Sequence, residues 1–266
     1  MCPIIFSYGD FQISGYWFMT VLGLLAVFIY LNFANSRLEQ ERRLPFYHIV
    51  SLFANCIISI LAGGTLMGVL VNLPGIIENW AYYSANPGMI LEVAFSSLVF
   101  YGGALMLILL QWLYTRHYEL DGQTVIELFV PATPLFMSIA RIGCFLGGCC
   151  YGVEVSWGVV FPEGSLAPAG VPLFPSQLVE AAGHLLLFIL LLAVKDRLKK
   201  KSDLLFLYMG AYAALRFVLE FFRGDAARGI WFGLSTSQWI SLGLLLAVVI
   251  HALKSRRKNQ ASRQAV

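Results

Sequence analysis

Apolar stretches about as long as a bilayer is thick recur along this chain, and that recurrence constrains its fold more than any other feature. A helix rises about 1.5 Å per residue, so roughly 20 apolar residues cross a hydrocarbon core about 30 Å thick. Runs of this kind occupy 14–33, 47–71, 95–114, 125–142, 176–194, 204–222 and 235–253. The composition fits lipid as the main solvent: 59% of residues are hydrophobic and 12% charged, about half the roughly 25% charge of a soluble domain. Charge facing lipid costs several kcal/mol, so a deficit this large is expected of a membrane protein and not of a water-facing surface. The expectation is an all-α polytopic membrane protein of about seven transmembrane helices. It forms a single transmembrane domain over 1–266, with no cleavable signal peptide before the first run and no nucleic acid among its partners.

Basic residues set the expected orientation, because short cytoplasmic loops collect Lys and Arg. Of the 18 basic residues, all but Arg141, Arg216, Arg223 and Arg228 fall in alternate loops or in the tail 254–266. That alternation predicts an N-terminus outside and a basic tail in the cytoplasm. The segment 143–175 then lies outside. It has no Lys or Arg and is rich in Gly, Pro and aromatics, too apolar for disorder, and reads as a folded loop on or in the outer leaflet.

The unusual polar residues cluster towards that side. Arg141 precedes Ile142-Gly143-Cys144 at the end of the fourth run, and Glu180 follows Pro175-Ser176-Gln177 at the start of the fifth. Arg216, Glu220 and Arg223 are spaced i, i+4, i+7, which puts them on one face of a helix. An Arg two turns inside a span needs an anion, a partner or a wet cavity. One reading is an Arg216–Glu220 pair tying helices together. The other is a lipid phosphate held by the planar forks of Arg141 and Arg216.

The stretch Gly143-Cys144-Phe145-Leu146-Gly147-Gly148-Cys149-Cys150-Tyr151-Gly152 leaves several readings open. Glycines four apart let helices approach closely, and successive backbone N–H groups can face an anion. The thiols are nucleophiles, disulfide partners or simply buried. The spacing C-x4-C-C matches no common zinc pattern and has no His nearby, so no metal and no cofactor are expected. His184, one turn below Glu180, is placed to pair with it.

Together these pieces resemble the prolipoprotein diacylglyceryl transferases. The similarity runs in order through Phe6-Ser7-Tyr8-Gly9 and Ile13, then Phe100-Tyr101-Gly102-Gly103, then Arg141-Ile142-Gly143 with Phe145, Gly148 and Gly152. It continues through Phe174-Pro175-Ser176-Gln177-Leu178 with Glu180, and Tyr212 with Arg216-Phe217, Glu220-Phe221-Phe222-Arg223 and Asp225, ending weakly at Thr236 and Gln238. The resemblance implies a seven-span enzyme of the bacterial inner membrane. Such an enzyme moves the diacylglyceryl group of phosphatidylglycerol onto the lipobox cysteine thiol of a preprolipoprotein, releasing glycerol phosphate. It implies Arg141 and Arg216 as the phosphate clamp, with Glu220 and Arg223 positioning Arg216. Gly102, Gly103, Gly143, Gly148, Gly152, Ser176, Gln177 and Glu180 complete the substrate site.

Five positions depart from the family pattern. Tyr101 stands where the family has His. Cys144, Gly147 and Cys149 replace two Asn and a Glu, and Thr65 replaces an Arg of the second span. Tyr101 and Cys149 therefore take the remaining catalytic places, Tyr101 relaying a proton and Cys149 a candidate covalent nucleophile. The alternatives are a transferase of the same family with another acceptor, and a phospholipid-binding membrane protein without catalysis.

Overall fold

The computed structural model describes residues 4–8, 11–96, 100–198, 200–224 and 230–264, with side chains except at 11, 91, 94–96, 100, 101, 256 and 258–264. Asp225 and Arg228 lie outside the described residues, as does Gly9. The elements group into two compact units, one formed by residues up to Ala34 with Ile126 onward, the other by Asn35–Val125.

In the first unit, strands β1 (Ile4–Tyr8) and β2 (Phe11–Ser14) pair as an antiparallel hairpin leading into α1 (Gly15–Ser36). In the second, α2 (Phe46–Glu78) is followed by the short α3 (Trp80–Ala85) and α4 (Gly88–Ser96), and by α5 (Phe100–His117). Helix α6 (Gly122–Gly147) begins in the second unit and continues into the first. After it come β3 (Glu154–Val160) and β4 (Pro172–Leu173), α7 (Ser176–Val194), α8 (Lys201–Leu219), the two-residue strands β5 (Ile230–Trp231) and β6 (Leu234–Ser235), and α9 (Thr236–Gln264).

Among the described residues, six helices are long and apolar enough to cross a membrane: α1, α2, α6, α7, α8 and α9. The remaining expected span, 95–114, overlaps α5, which has 18 residues and ends in Arg116 and His117; the polytopic all-α fold stands, and the seventh span rests on the sequence reading alone. Large apolar side chains point outwards, among them Val21, Ile108 and Leu186 at 63%, 69% and 67% exposure. Such a surface is stable only in lipid, where an outward Leu is solvated and an outward charge is not.

Helix α6 is the most enclosed span, 44% of it buried against 11% of α9. It starts on Asp121, whose carboxylate accepts hydrogen bonds from the N–H groups of Gln123 and Thr124 at 3.1 and 3.0 Å and from Thr124 Oγ1 at 2.6 Å. This satisfies donors that a helix N-terminus otherwise leaves open. Those bonds, with Arg42 nearby, outweigh the opposing effect of partial burial and hold the Asp121 carboxyl below its ordinary range.

Within the second unit, α2 and α5 cross where Gly63 meets Gly102. A Cβ on either glycine would collide with the other's carbonyl oxygen, so the helices approach as closely as their backbones allow. His48 Nδ1 lies 2.9 Å from Tyr114 Oη, and Gln111 Nε2 donates to the Leu52 carbonyl at 2.9 Å. Gly102 and Gly103, expected at a substrate site, thus lie in this helix crossing, Gly103 against the backbone of Ile60.

The segment expected to leave the helix at Gly143 does so only after Gly147, because Gly143 and Gly147 lie against Tyr16 and Met19 of α1 without a side chain to hold them off. Gly143 and Cys144 therefore belong to α6, with Gly143 facing Tyr16 and Met19. Beyond Gly147 the chain is folded: β3 pairs antiparallel with β4, and Phe161, Ala167 and Leu173 form a small core with Phe145, Tyr151 and Val171 around it.

Candidate active site

Glu180 is the centre of a buried ionic cluster within the first unit. Its carboxylate is met by Arg141 Nε at 2.5 Å, Arg216 Nη1 at 2.8 Å and Arg223 Nη1 at 3.6 Å. Arg216 extends a second nitrogen to Glu220 at 2.8 Å and donates to Ser237 Oγ at 3.4 Å. Arg141 comes from the C-terminal part of α6, Glu180 from near the start of α7 and Arg216 from the last turn of α8, while Glu220 and Arg223 follow α8 and Ser237 begins α9. An uncompensated charge in such a place would cost several kcal/mol, and guanidinium forks compensate carboxylates best because they offer several N–H groups in one plane. Among the described residues the cluster holds three guanidiniums and two carboxylates.

Sequence spacing placed Arg216, Glu220 and Arg223 on one helical face, and this needs correction. Helix α8 ends at Leu219, the chain tightens to a 3-10 turn over Glu220–Phe222, and Arg223 is extended and bridges Gly152. Tertiary pairing with the loop wins over helix continuation there. Arg223 still reaches Glu180, but its side chain is only 6% exposed, whereas Arg141 and Arg216 keep 15% and 14%. His184 is buried and stacks on Tyr212 at 5.6 Å between ring centroids rather than bonding to Glu180.

The glycine- and cysteine-rich turn wraps beside this cluster. Gly148 has φ +76°, and Cys150 has φ +58°, a left-handed conformation rare for a side-chain-bearing residue. Ser176 Oγ donates to the Cys150 carbonyl and Gln177 Nε2 to the Cys149 carbonyl, both at 2.7 Å. Ser176 and Gln177 are fully buried, so the two residues expected to bind substrate hold the turn in place. Gly152 is required by close approach: a Cβ would strike the Phe174 carbonyl.

The turn brings Cys144, Cys149 and Cys150 together, their sulphurs all within 4.8 Å of one another. All three are free thiols. Hydrogen bonds from Cys144 and Cys149 hold Cys150 well below the usual thiol range, with Arg141 and Arg223 acting in the same sense. Cys149, hydrogen-bonded to Cys144 and Cys150 and partly buried, is pushed up and keeps its proton.

Tyr101 belongs to the other unit and its side chain lies outside the described residues. Thr65, in place of the family's arginine, turns its hydroxyl to the Leu61 carbonyl of its own helix at 2.7 Å. Ser237 and the convergence of the thiols were not foreseen; the only sequence signal for the former is its place in the first turn of the last span.

A family model described as prolipoprotein diacylglyceryl transferase matches residues 3–253. The chain is 31% identical over 261 residues to a phosphatidylglycerol–prolipoprotein diacylglyceryl transferase of Clostridium tetani, covering 97% of this chain and 100% of that one. It is 34% identical to the second such transferase of Clostridium perfringens, with 93% and 94% covered. A Geobacter sulfurreducens transferase of the same name is 30% identical, with 96% of each chain covered. The chain belongs to the prolipoprotein diacylglyceryl transferase family. Arg141, Glu180 and Arg216, which carried the resemblance from separate parts of the sequence, are the residues that the fold joins into one cluster.

Proposed function

We propose that this chain transfers the diacylglyceryl group of phosphatidylglycerol to the cysteine thiol of a prolipoprotein, with Arg141 and Arg216 holding the lipid phosphate. The observation that carries the reading is the convergence of Arg141 and Arg216 on Glu180, with 15% and 14% of their side chains still accessible beside the glycine turn. The two arginines that retain accessible surface are those with forks suited to phosphate oxygens.

In the transfer, a new S–C bond forms between the acceptor thiolate and the glycerol carbon. The C–O bond to phosphate breaks, and glycerol phosphate leaves with one more negative charge than the diester carried. Fixed guanidiniums stabilise that developing charge without reorganising, the kind of interaction that accelerates the chemical step. Glu180, Glu220 and Arg223 keep the two forks aligned. Tyr101 and Cys149 stand where the family carries His and Glu and complete the catalytic set on the acceptor side. A covalent route through Cys149 would end in a thioether, whose thiolate is a poor leaving group, so the direct transfer is favoured. Gly148 and Gly152 shape the turn beside the phosphate; Gly143 packs α6 against α1, and Gly102 and Gly103 hold the α2–α5 crossing.

The enzyme so read is a multi-pass protein of the bacterial inner membrane, its N-terminus and the arginine cluster outside and its basic tail in the cytoplasm. The test is complementation of a strain depleted of its own transferase, followed by gel shift and the mass of the lipidated cysteine. Rescue that disappears with Arg141→Ala or Arg216→Ala supports the reading. A well-inserted protein that fails to rescue moves the function to another acceptor or to phospholipid binding without catalysis.

A further inference from the structure

We propose that Cys144, Cys149 and Cys150 form a three-coordinate site for a soft, thiophilic metal ion of the copper(I) class. The three sulphurs lie within 4.8 Å of one another, and among the described residues no imidazole or carboxylate joins them. Three thiolates about 2.3 Å from a central ion stand about 4.0 Å apart at the corners of a triangle. The sulphurs therefore need to close by less than about 1 Å to reach that geometry.

The turn is built to bring the third thiol back. Cys144 lies in the last turn of α6, Gly148 at φ +76° reverses the chain, and Cys150 takes φ +58° to aim its sulphur at the other two. Such a conformation is disfavoured in a residue with a Cβ, and the buried Ser176 and Gln177 clamp the carbonyls on either side. Strain held by buried hydrogen bonds at a cluster of ligand atoms marks a site rather than chance packing. Zinc would call for a fourth ligand, whereas an all-thiolate set with three donors suits a soft monovalent ion. Arg141, its Nη1 4.0 Å from Cys144 Sγ, compensates part of the thiolate charge. Cys149 and Cys150 are only half-buried, which leaves the ion a way in. Binding releases whatever protons the thiols still carry and changes no oxidation state. The site stands whether or not the transferase reading holds.

The full-length protein, reduced and kept anaerobic in detergent, would be titrated with copper(I) against a chromophoric copper(I) chelator. The expected result is one ion per chain, with X-ray absorption showing three sulphurs at about 2.3 Å. Cys144→Ser, Cys149→Ser and Cys150→Ser should each weaken binding by more than the roughly 10–100-fold typical of losing an outer-shell partner. Cys56→Ser should leave it unchanged. On the unaltered protein, copper(I) should slow alkylation of the three cysteines, read by peptide mass, while Cys56 keeps its metal-free rate. That measurement decides even where a serine variant fails to fold. Unprotected thiols in the unaltered protein, two sulphurs instead of three, or affinity that survives Cys149→Ser would each overturn the proposal.

Discussion

Two buried carboxylates in the first unit answer the same physical problem in different ways. Glu180 is bound by three guanidiniums, the nearest two at 2.5 and 2.8 Å. Glu127 is approached by two ammonium groups, Lys195 at 3.7 Å and Lys201 at 3.4 Å. Lys201 also donates to the Lys195 carbonyl at 2.7 Å, so the Glu127 group clips the turn between α7 and α8. Among the described residues each cluster holds one more cation than carboxylates, and each joins α6 to the α7–α8 pair; of the two, the Glu180 cluster is the one built from guanidiniums beside a glycine turn. Surplus charge by itself does not mark a phosphate site. Planar donors with accessible surface beside a shaped backbone do, because they can change partner without leaving a charge stranded.

The comparison breaks most directly at the carboxylates. Glu180→Gln leaves the guanidiniums undercompensated and should lower stability by about 3–5 kcal/mol, as removing one member of a buried ionic group does. Thermal unfolding in detergent, followed by tryptophan fluorescence, reads it. Glu127→Gln, with its longer ammonium contacts, should lose less stability than Glu180→Gln and keep full transferase activity. Equal losses in the two variants would erase the distinction between the clusters.

Activity sharpens the comparison next. Arg216→Ala should reduce lipid transfer by about 100- to 1000-fold, the loss expected when a donor to developing negative charge is removed. Arg216→Lys should restore little of it, because a point charge cannot bridge Glu180, Glu220 and a phosphate together. Transfer of labelled phosphatidylglycerol to a lipobox peptide measures both, and full activity in the alanine variant would refute the clamp.

The smallest effect concerns a third carboxylate, Asp121, which caps α6 from outside the apolar span. Its folded-state pKa lies below the ordinary carboxylate value. Its stabilisation is therefore complete above the unfolded pKa near 3.9 and is lost as pH falls through the folded value. Asp121→Asn should narrow the gap in melting temperature between neutral and acidic pH without touching transfer. An unchanged pH dependence would remove Asp121 from the account.

Much of this was legible in the sequence. Apolar run lengths predicted the spans, since bilayer thickness fixes helix length, and Arg141, Glu180, Arg216 and Glu220 were conspicuous as charges where charge is expensive. The boundary at Gly143 was set five residues early, because glycine reads as a helix breaker while packing against α1 keeps this one helical. Arg223 was given a helical position it does not have, because its backbone pairs with Gly152 instead.

By itself the sequence determined that the chain lives in lipid, which segments cross it, and that a few arginines must find anions. Those conclusions follow from local composition and from the free energy of burying charge. Which anion each arginine meets, that Glu180 is shared among three of them, and that three cysteines converge on one point were decided only in the tertiary structure. Such contacts join residues dozens of positions apart, and spacing along the chain carries no information about them once a turn intervenes.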